Sequence, residues 1–489
     1  MKVLGGLITL AAALLLVYAT IGQQDAQAVG GNLAAQEGVD VQTHGPIHEA
    51  YAQPAAPKTV AAPIVAKRPP EPVNELPPES KPEGNQAQWI PGYWAWDDDQ
   101  NDFLWVSGIW RVPPPDRNWV PGYWQQVNGG QRWISGFWGV RADASLELLP
   151  APPEPIAEAL PPQPNADTIY VPGIWVNQES RYLWRPGHWV RCRPGWVWVP
   201  AHYYWTPGGY VFVRGFWDYE LEHRGLLFAP VFLNPRIYVR PGWAYRPHFT
   251  IAADFLLGSL FVNIGTNAYF FGDYYAPAYA QRGFVPWIDY RIRGNVFDPL
   301  FSYYRWQHRG EPRWEADLRG VYVTRRDNMA LRPARTLALQ GRAGAKLVVA
   351  TPLDQLKSKT FKLEPVTKVH AEEIRKNTVE WRDLSKQRGK IEMDVKPAVV
   401  NLKQPNVVQS VKVALPKTTI VHPEVKKVAP PHPELPKAVP HPVEKREKAE
   451  KKASLDRRGI MDWLCLEGPH VTCRPLGTIG RERSRVPVA

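Results

Sequence analysis

One six-residue phrase, aromatic-x-x-Gly-x-aromatic, recurs eight times between Trp89 and Trp217 and constrains the fold of this chain more than any other feature. The eight copies read Trp89-Ile-Pro-Gly-Tyr-Trp94, Trp105-Val-Ser-Gly-Ile-Trp110, Trp119-Val-Pro-Gly-Tyr-Trp124, Trp133-Ile-Ser-Gly-Phe-Trp138, Tyr170-Val-Pro-Gly-Ile-Trp175, Trp184-Arg-Pro-Gly-His-Trp189, Trp198-Val-Pro-Ala-His-Tyr203 and Phe212-Val-Arg-Gly-Phe-Trp217. A repeated phrase predicts a repeated structural unit, and such units form scaffolds and binding faces more readily than catalytic pockets.

The spacing of the phrases predicts antiparallel strands. The phrases begin at residues 89, 105, 119, 133, 170, 184, 198 and 212, and a step of 14 residues suits one strand of about eight residues and a turn of about six. Asn128-Gly129-Gly130 is a strong hairpin signal. We therefore predict a mainly β fold with two four-stranded antiparallel Trp-rich meanders, over residues 89–138 and 170–217, joined by a stiff Pro-rich linker.

The glycine inside each phrase predicts a β-bulge. Two aromatic residues five positions apart point to opposite faces of a regular strand. A bulge at the Pro-Gly step adds a residue and kinks the strand, which brings both rings to one face. We expect these bulges to lie in register, with rings stacked across neighbouring strands.

The Trp residues of this region allow two interpretations. Burial in a packed core is the simpler one, because each buried aromatic side chain contributes roughly 2 to 3 kcal/mol of apolar burial. The alternative is a row of exposed rings that stack on a sugar or another polymer. The candidate ligand-stacking residues are Tyr93, Trp94, Tyr123, Trp124, Trp189 and Tyr203.

Outside the repeats, composition divides the chain. Residues 1–28 resemble an export signal, with Lys2, an apolar run and Ala26-Gln27-Ala28 as a cleavage pattern; an uncleaved membrane anchor is the alternative. Residues 29–85 are predicted to be a disordered linker and residues 86–218 the repeat domain. Residues 219–340 should form an irregular, partly helical α+β region rich in aromatics, which packs against the repeats.

Residues 341–489 form a basic arm rich in Pro and Lys. They carry 30 Lys and Arg against 17 Asp and Glu, a net charge of +13, which leaves −1 of the total +12 for the first 340 residues. Apolar spacing predicts a helix over residues 367–391, and the rest is expected to be extended and disordered. Cys465 and Cys473 could close a small loop after export, or remain free thiols.

We find no sequence motif for catalysis or for a cofactor. Phosphate-binding loops, dinucleotide fingerprints, nucleophile elbows and zinc-hydrolase helices are all missing from the sequence. His188 and His202 hold equivalent places in adjacent phrases, but a third metal ligand is not evident. We expect no enzyme activity, cofactor or metal, although an enzyme housed in residues 219–340 remains an alternative.

The phrases Trp119-Val-Pro-Gly-Tyr-Trp124 and Trp133-Ile-Ser-Gly-Phe-Trp138 resemble those of the bacterial WXXGXW-repeat family, also called YXWGXW repeats. The resemblance covers residues 89–217, with departures at Tyr170, at Ala201 and Tyr203, and at Phe212. It implies an exported or envelope location and no known catalysis.

These observations predict a non-enzymatic, exported structural or interaction protein of the bacterial cell envelope, in the periplasm, the outer envelope or outside the cell. The alternative is a carbohydrate- or polymer-binding module. Expected partners are envelope polymers or proteins, with polysaccharide possible and nucleic acid not expected because of export. The edge strands of open meanders also make a homo-oligomer possible.

Overall fold

The computed structural model describes residues 36–290, 297–342, 347–395, 408–420, 423 and 435–439. The predicted export signal, the pair Cys465 and Cys473, and most of the predicted disordered part of the basic arm lie outside these residues. The described chain is mainly strand (33%), with less helix (22%), and its sheets are small and antiparallel. The mainly β fold class is therefore confirmed.

The eight phrases form four antiparallel hairpins, two phrases to each hairpin. Each hairpin has an inner pair of strands next to its turn and an outer pair further away. The strands are Gln88–Ile90, Tyr93–Asp97, Asp102–Val106 and Ile109–Arg111 in the first hairpin; Arg117–Val120, Tyr123–Val127, Gly130–Ile134 and Phe137–Val140 in the second; Thr168–Val171, Ile174–Gln178, Arg181–Arg185 and His188–Arg191 in the third; and Trp196–Val199, His202–Thr206, Gly209–Val213 and Phe216–Tyr219 in the fourth.

The Pro-Gly or Ser-Gly pair of each phrase interrupts the strand without a bulge. In the first hairpin Ile90 pairs with Ile109 and Tyr93 pairs with Val106, so two residues on one strand face two on the other. The same holds in the other three hairpins. A bulge would set two residues against one and shift the register. The bulge prediction is therefore wrong, and we call each two-residue interruption a step.

The hairpins pair with distant segments rather than with one another. Val231–Leu233 joins the inner sheet of the first hairpin, and Ile64–Val65 joins that of the second. In the fourth hairpin the inner sheet continues into Ser145–Leu149 and then Val411–Ala414. The strands are thus those expected, but they do not form two four-stranded meanders, because segments far away in sequence cover the edges.

Residues 219–340 form a mixed α+β region around a small sheet. Leu260–Asn263 lies between Ala268–Phe271 and Phe284–Pro286, and Gly45–Pro46 extends the sheet. Its α-helices are Pro235–Tyr238, Ala253–Leu257, Pro277–Gln281, Trp287–Tyr290, Pro299–Gln307, Trp314–Asp327 and Leu337–Gln340.

Single 3₁₀ turns lie at Leu221–His223, Met329–Leu331 and Leu353–Gln355. The remaining strands are Val39–Val41, Ser80–Pro82, Gly225–Leu226, Phe249–Ile251, Ala350–Pro352 and Leu363–Pro365.

One long helix, Lys368–Asp394, packs on the second hairpin, where the sequence predicted a helix over residues 367–391. Thr367 caps its first turn by accepting a hydrogen bond from the His370 amide. The predicted apolar face is buried, with Ile374, Trp381 and Leu384 all under 9% exposed. Among the residues that the structure describes, no helix is both long and apolar enough to cross a bilayer.

Candidate functional site

The aromatic residues of the phrases meet as eight cross-strand pairs. The first aromatic residue of one phrase lies opposite the last aromatic residue of its partner phrase. Ring centroids are 5.0–5.6 Å apart and the planes cross at 51–79°, in the pairs Trp89–Trp110, Trp94–Trp105, Trp119–Trp138, Trp124–Trp133, Tyr170–Trp189, Trp175–Trp184, Trp198–Trp217 and Tyr203–Phe212. Tilted, edge-directed contacts of this kind add about 0.5–1.5 kcal/mol per pair beyond area burial.

Glycine is required at the step because a ring lies directly over it. A Cβ added to Gly108 would lie 2.5 Å from Cζ2 of Trp89 and 2.8 Å from the Ile90 carbonyl oxygen. The same ring atom of the opposing Trp crowds Gly122, Gly136, Gly173 and Gly215. None of these glycines has a positive φ. The motif glycine therefore provides space for a ring, and it is not needed for an unusual backbone conformation.

The fourth hairpin contains the one phrase without glycine, and there the opposing ring is smaller. Ala201 takes the glycine position, and the ring that faces this position in the other hairpins is Trp105, Trp133 or Trp184. In the fourth hairpin this residue is Phe212. Phenylalanine lacks the outer ring that contains Cζ2, so the Ala201 methyl group has room.

A buried carboxylate holds the step of the first hairpin. Glu75 is 4% exposed. It accepts hydrogen bonds from the amides of Gly92 (2.8 Å) and Gly108 (2.9 Å) and from the indole Nε1 of Trp105 (3.1 Å). We call this arrangement a glutamate clamp: a carboxylate that accepts from the first Trp and the Gly of the hairpin's second phrase.

The second and third hairpins have the same clamp. Glu49 accepts from Trp133 Nε1 (2.8 Å) and the Gly136 amide (2.9 Å). Glu158 accepts from Trp184 Nε1 (2.7 Å) and the Gly187 amide (2.8 Å). The structure thus repeats one recognition geometry three times.

Burial and hydrogen bonding act in opposite directions on the carboxylates of Glu75 and Glu49. Burial raises the pKa of Glu75 and of Glu49, while the indole and glycine N–H donors lower it. The ionised form is the better acceptor for these donors, which number three at Glu75. Loss of either of these two clamps would therefore leave polar groups unpaired within an aromatic core, which is costly.

The clamp glutamates lie in Pro-rich segments, which makes one prediction wrong. Residues 29–85 were expected to be disordered, yet the described part, residues 36–85, contains Val41, Ile47 and Tyr51 at 4% exposure or less. Polar and Pro-rich composition indicated disorder, but these segments pack on the hairpins instead of forming a core of their own. The Pro-rich segment between the second and third hairpins likewise supplies Glu158.

A sequence signal for the clamps exists, but the aromatic period does not reveal it. Each clamp glutamate ends a Pro-[Ile/Val]-x-Glu segment: Pro46-Ile47-His48-Glu49, Pro72-Val73-Asn74-Glu75 and Pro155-Ile156-Ala157-Glu158. Two of these segments also accept from an indole through equivalent carbonyl groups, with Trp94 donating to Glu71 (3.1 Å) and Trp175 to Glu154 (2.9 Å).

Side-chain donors bind the step carbonyl groups. Arg388 of the long helix donates to the carbonyl groups of Pro121 (2.8 Å) and Ser135 (2.9 Å). Its Nε also donates to Glu392 (2.7 Å), and both side chains are buried. At the first hairpin, His48 Nε2 lies 3.2 Å from the Pro91 carbonyl oxygen. A buried step therefore has its N–H and its C=O groups satisfied from outside the hairpin.

The six predicted stacking residues do not share one environment. Trp94, Tyr123 and Tyr203 are 4%, 6% and 1% exposed, so their faces are covered by the protein itself. The half-buried rings are Tyr93, Trp124 and Trp189. Tyr93 is already stacked on Trp133, with centroids 4.9 Å apart. Only these three rings remain partly accessible to an external ligand.

Asp99 and His202 have partners within the protein. Asp99, in the acidic turn of the first hairpin, accepts from Tyr279 (2.6 Å) and pairs with Arg282 (2.6 Å). The Nδ1 atom of His202 lies 2.7 Å from the Pro200 carbonyl oxygen. Within the described ranges no three His, Cys, Asp or Glu residues are grouped as metal ligands.

Comparison with known proteins matches this architecture to one family. A family model described as "WXXGXW repeat (2 copies)" matches residues 89–111, 118–138, 169–190 and 193–217, one match for each hairpin. No curated protein and no solved structure matches the chain. Residues 89–217 are therefore a WXXGXW-repeat segment, in which two phrases build one aromatic hairpin.

Proposed function

We propose that this chain is a non-enzymatic structural and interaction protein of the bacterial cell envelope, whose aromatic hairpins hold extended Pro-rich segments through glutamate clamps. The observation that carries this proposal is the threefold recurrence of one contact set. Glu49, Glu75 and Glu158 come from separate segments, yet each accepts from an indole and a glycine amide at equivalent positions. Capture of a carboxylate by backbone N–H groups is a known mode of peptide recognition.

The repetition favours binding over catalysis. Catalysis requires one set of unlike groups that converge on a reacting atom. The hairpins instead present equivalent donors several times along the chain, which suits attachment of segments at several points. Their ring pairs keep the surroundings of the donors apolar, where a hydrogen bond to a charged acceptor is strengthened.

The proposed envelope location rests on the sequence of residues 1–28, with Lys2, an apolar run and Ala26-Gln27-Ala28. Envelope polymers or proteins are the proposed partners. Polysaccharide is a further candidate because Tyr93, Trp124 and Trp189 are only partly buried.

Cell fractionation tests the location. The full chain and a variant without residues 1–28 would be produced in a Gram-negative host with the same C-terminal tag. We expect the full chain in the periplasmic, membrane or medium fraction and the shortened variant in the cytoplasm. Equal retention of both in the cytoplasm would overturn the location.

Local hydrogen exchange tests the role of the clamps. Glu75→Ala in the full chain should increase amide exchange over residues 88–111 and leave the third hairpin, held by Glu158, unchanged. The matched control is Glu37→Ala, because Glu37 is solvent-exposed and forms a long surface ion pair with Arg240 at 3.6 Å. If Glu75→Ala leaves exchange in the first hairpin unchanged, the glutamate does not hold it.

Sedimentation with purified peptidoglycan tests the polymer partner. Tyr93→Ala and Trp124→Ala should lower the bound fraction if the half-exposed rings stack on sugar. Binding that is unchanged in these variants would exclude the rings as the contact surface.

A further inference from the structure

The fourth hairpin has no glutamate clamp among the described residues, and a cavity lies at its step. The cavity has room for about 30 Å³, enough for a group the size of a carboxylate. Trp198, Ala201 and Gly215 of the fourth hairpin form one side. Arg185 and His188 of the third hairpin are on the other side.

The first two hairpins, residues 89–138, show what fills the equivalent place. There the segment containing His48 and Glu49 lies between two hairpins. His48 contacts the Pro91 carbonyl group of the first hairpin at 3.2 Å, and Glu49 accepts from the Gly136 amide of the second at 2.9 Å. In the third and fourth hairpins, the residues at the positions of Pro91 and Gly136 are Pro172 and Gly215. Both line the cavity.

The walls of the cavity hold buried polar atoms without hydrogen-bond partners. Among the described residues, the buried Nε of Arg185 and Nε2 of His188 have no hydrogen-bond partner. An unpaired buried donor destabilises a fold, so such groups require an explanation. A carboxylate would supply an acceptor to Nε of Arg185 and a charge opposite to that of its guanidinium group.

We propose that this cavity is a fourth clamp site, which binds a glutamate carboxylate presented by an extended Pro-x-x-Glu segment. The proposal rests on the proposed role of the hairpins in holding such segments. The site differs from the other three because Phe212 cannot donate as Trp105, Trp133 and Trp184 do. Arg185 provides the additional donor instead.

The sequence contains a further Pro-x-x-Glu segment, in which His432 stands where the three clamp segments have Ile or Val. Residues 431–436 read Pro-His-Pro-Glu-Leu-Pro, against Pro-Val-Asn-Glu-Leu-Pro at residues 72–77. Residues 431–434 lie outside the described part of the chain, whereas Leu435 lines the cavity. The carboxylate can therefore come from Glu434 of the same chain or from a Pro-x-x-Glu segment of a second molecule, and the experiment separates these sources.

The test titrates the full chain with a fluorescent hexapeptide, Pro-Val-Asn-Glu-Leu-Pro, and with its Gln counterpart. If Glu434 supplies the carboxylate, the unaltered chain should bind neither peptide, and Glu434→Gln should bind the Glu peptide about tenfold more tightly than the Gln peptide. If a second molecule supplies it, the unaltered chain and Glu434→Gln should bind the Glu peptide equally. Glu424→Gln is the matched control, because Glu424 also follows His-Pro but lacks the Leu-Pro that follows Glu434.

Two further measurements assign the binding to this cavity. Arg185→Met should remove the preference for Glu over Gln, and hydrogen exchange over residues 196–219 should slow when the Glu peptide binds. The proposal is overturned if no variant prefers the Glu peptide and Glu434→Gln leaves exchange over residues 196–219 unchanged. Glu75→Ala, measured in parallel, tests the established clamp of the first hairpin, so a failure of the fourth site is distinguishable from a failure of the clamp mechanism.

Discussion

Substitution of Gly215 by alanine tests whether motif glycines exist to make room for a ring. A Cβ at this position would lie 2.6 Å from Cζ2 and 3.0 Å from Cη2 of Trp198, and 3.2 Å from the Ala201 amide nitrogen. The clash is therefore chiefly with one side chain. Overpacking of this kind costs about 1–3 kcal/mol. Alanine recovers about 0.4–1 kcal/mol by restricting the unfolded chain, so Gly215→Ala should lower the free energy of unfolding by about 1–2 kcal/mol.

The second substitution, Trp198→Phe, removes the ring atoms that would clash. It gives up the apolar burial of part of an indole, about 1–2 kcal/mol, and no hydrogen bond, because Nε1 of Trp198 has no partner among the described residues. The double variant would give this side of the hairpin the Ala–Phe combination that Ala201 and Phe212 already form on the other side. The two costs should thus fail to add, with a favourable coupling of about 1 kcal/mol or more.

Equilibrium urea unfolding of the full chain, followed by circular dichroism and by hydrogen exchange over residues 196–219, measures this coupling. Gly320→Ala is the control, since Gly320 is exposed in the helix Trp314–Asp327 and has no heavy atom within 4 Å of an added Cβ. It should stabilise by about 0.5–1 kcal/mol. Additivity of Gly215→Ala and Trp198→Phe within about 0.5 kcal/mol would refute the steric account of the motif glycine.

Three further predictions concern buried polar groups. Glu75→Gln should lower the free energy of opening the first hairpin by about 1–3 kcal/mol, because one acceptor oxygen becomes a donor facing N–H groups; hydrogen exchange over residues 88–111 measures it, and an unchanged rate would contradict it. Burial raises the pKa of Asp298 to about 6 from 3.8, so the folded state binds the proton more tightly than the unfolded state. Stability relative to Asp298→Asn should therefore be greatest below pH 4 and fall by about 3 kcal/mol at most as the pH rises to 6, as urea midpoints at each pH would show. Burial also raises the pKa of Cys192 to about 12, so peptide mass spectrometry should find this thiol unalkylated by iodoacetamide at pH 8 until the protein unfolds.

Local chemistry made the hairpins predictable. The 14-residue spacing and the polar gaps between phrases indicated strands and turns, and the turns lie where those gaps fall. Glu179 and Ser180 form a two-residue loop between Gln178 and Arg181, with φ of 52° and 58°. Asn128-Gly129 likewise separates the paired residues Val127 and Gly130. Signals of this kind act over a few residues, which is why they can be read from one sequence.

The partners of the hairpins could not be predicted in the same way. Trp105 pairs with Val231, and Arg388 binds the carbonyl group of Pro121, so the contacts join residues more than a hundred positions apart. A clamp glutamate adds a single charged residue to a Pro-rich segment, and that composition normally indicates disorder. Aromatic periodicity likewise could not separate a bulge from a symmetric step, because both place a Gly between two rings.

The symmetric step explains why the aromatic hairpin is incomplete by itself. The two glycines let the opposing rings close over the backbone, and the step residues are not paired across the hairpin, so the step amides have no strand partner. Those amides then require an acceptor that the hairpin lacks, since both strands present N–H groups at the same place. A carboxylate from another segment meets two or three donors at once, as Glu75 does for Gly92, Gly108 and Trp105. The same sequence feature that packs the rings thus creates the demand for an acidic partner segment, which is why the repeat and the Pro-rich glutamate segments form one structural unit.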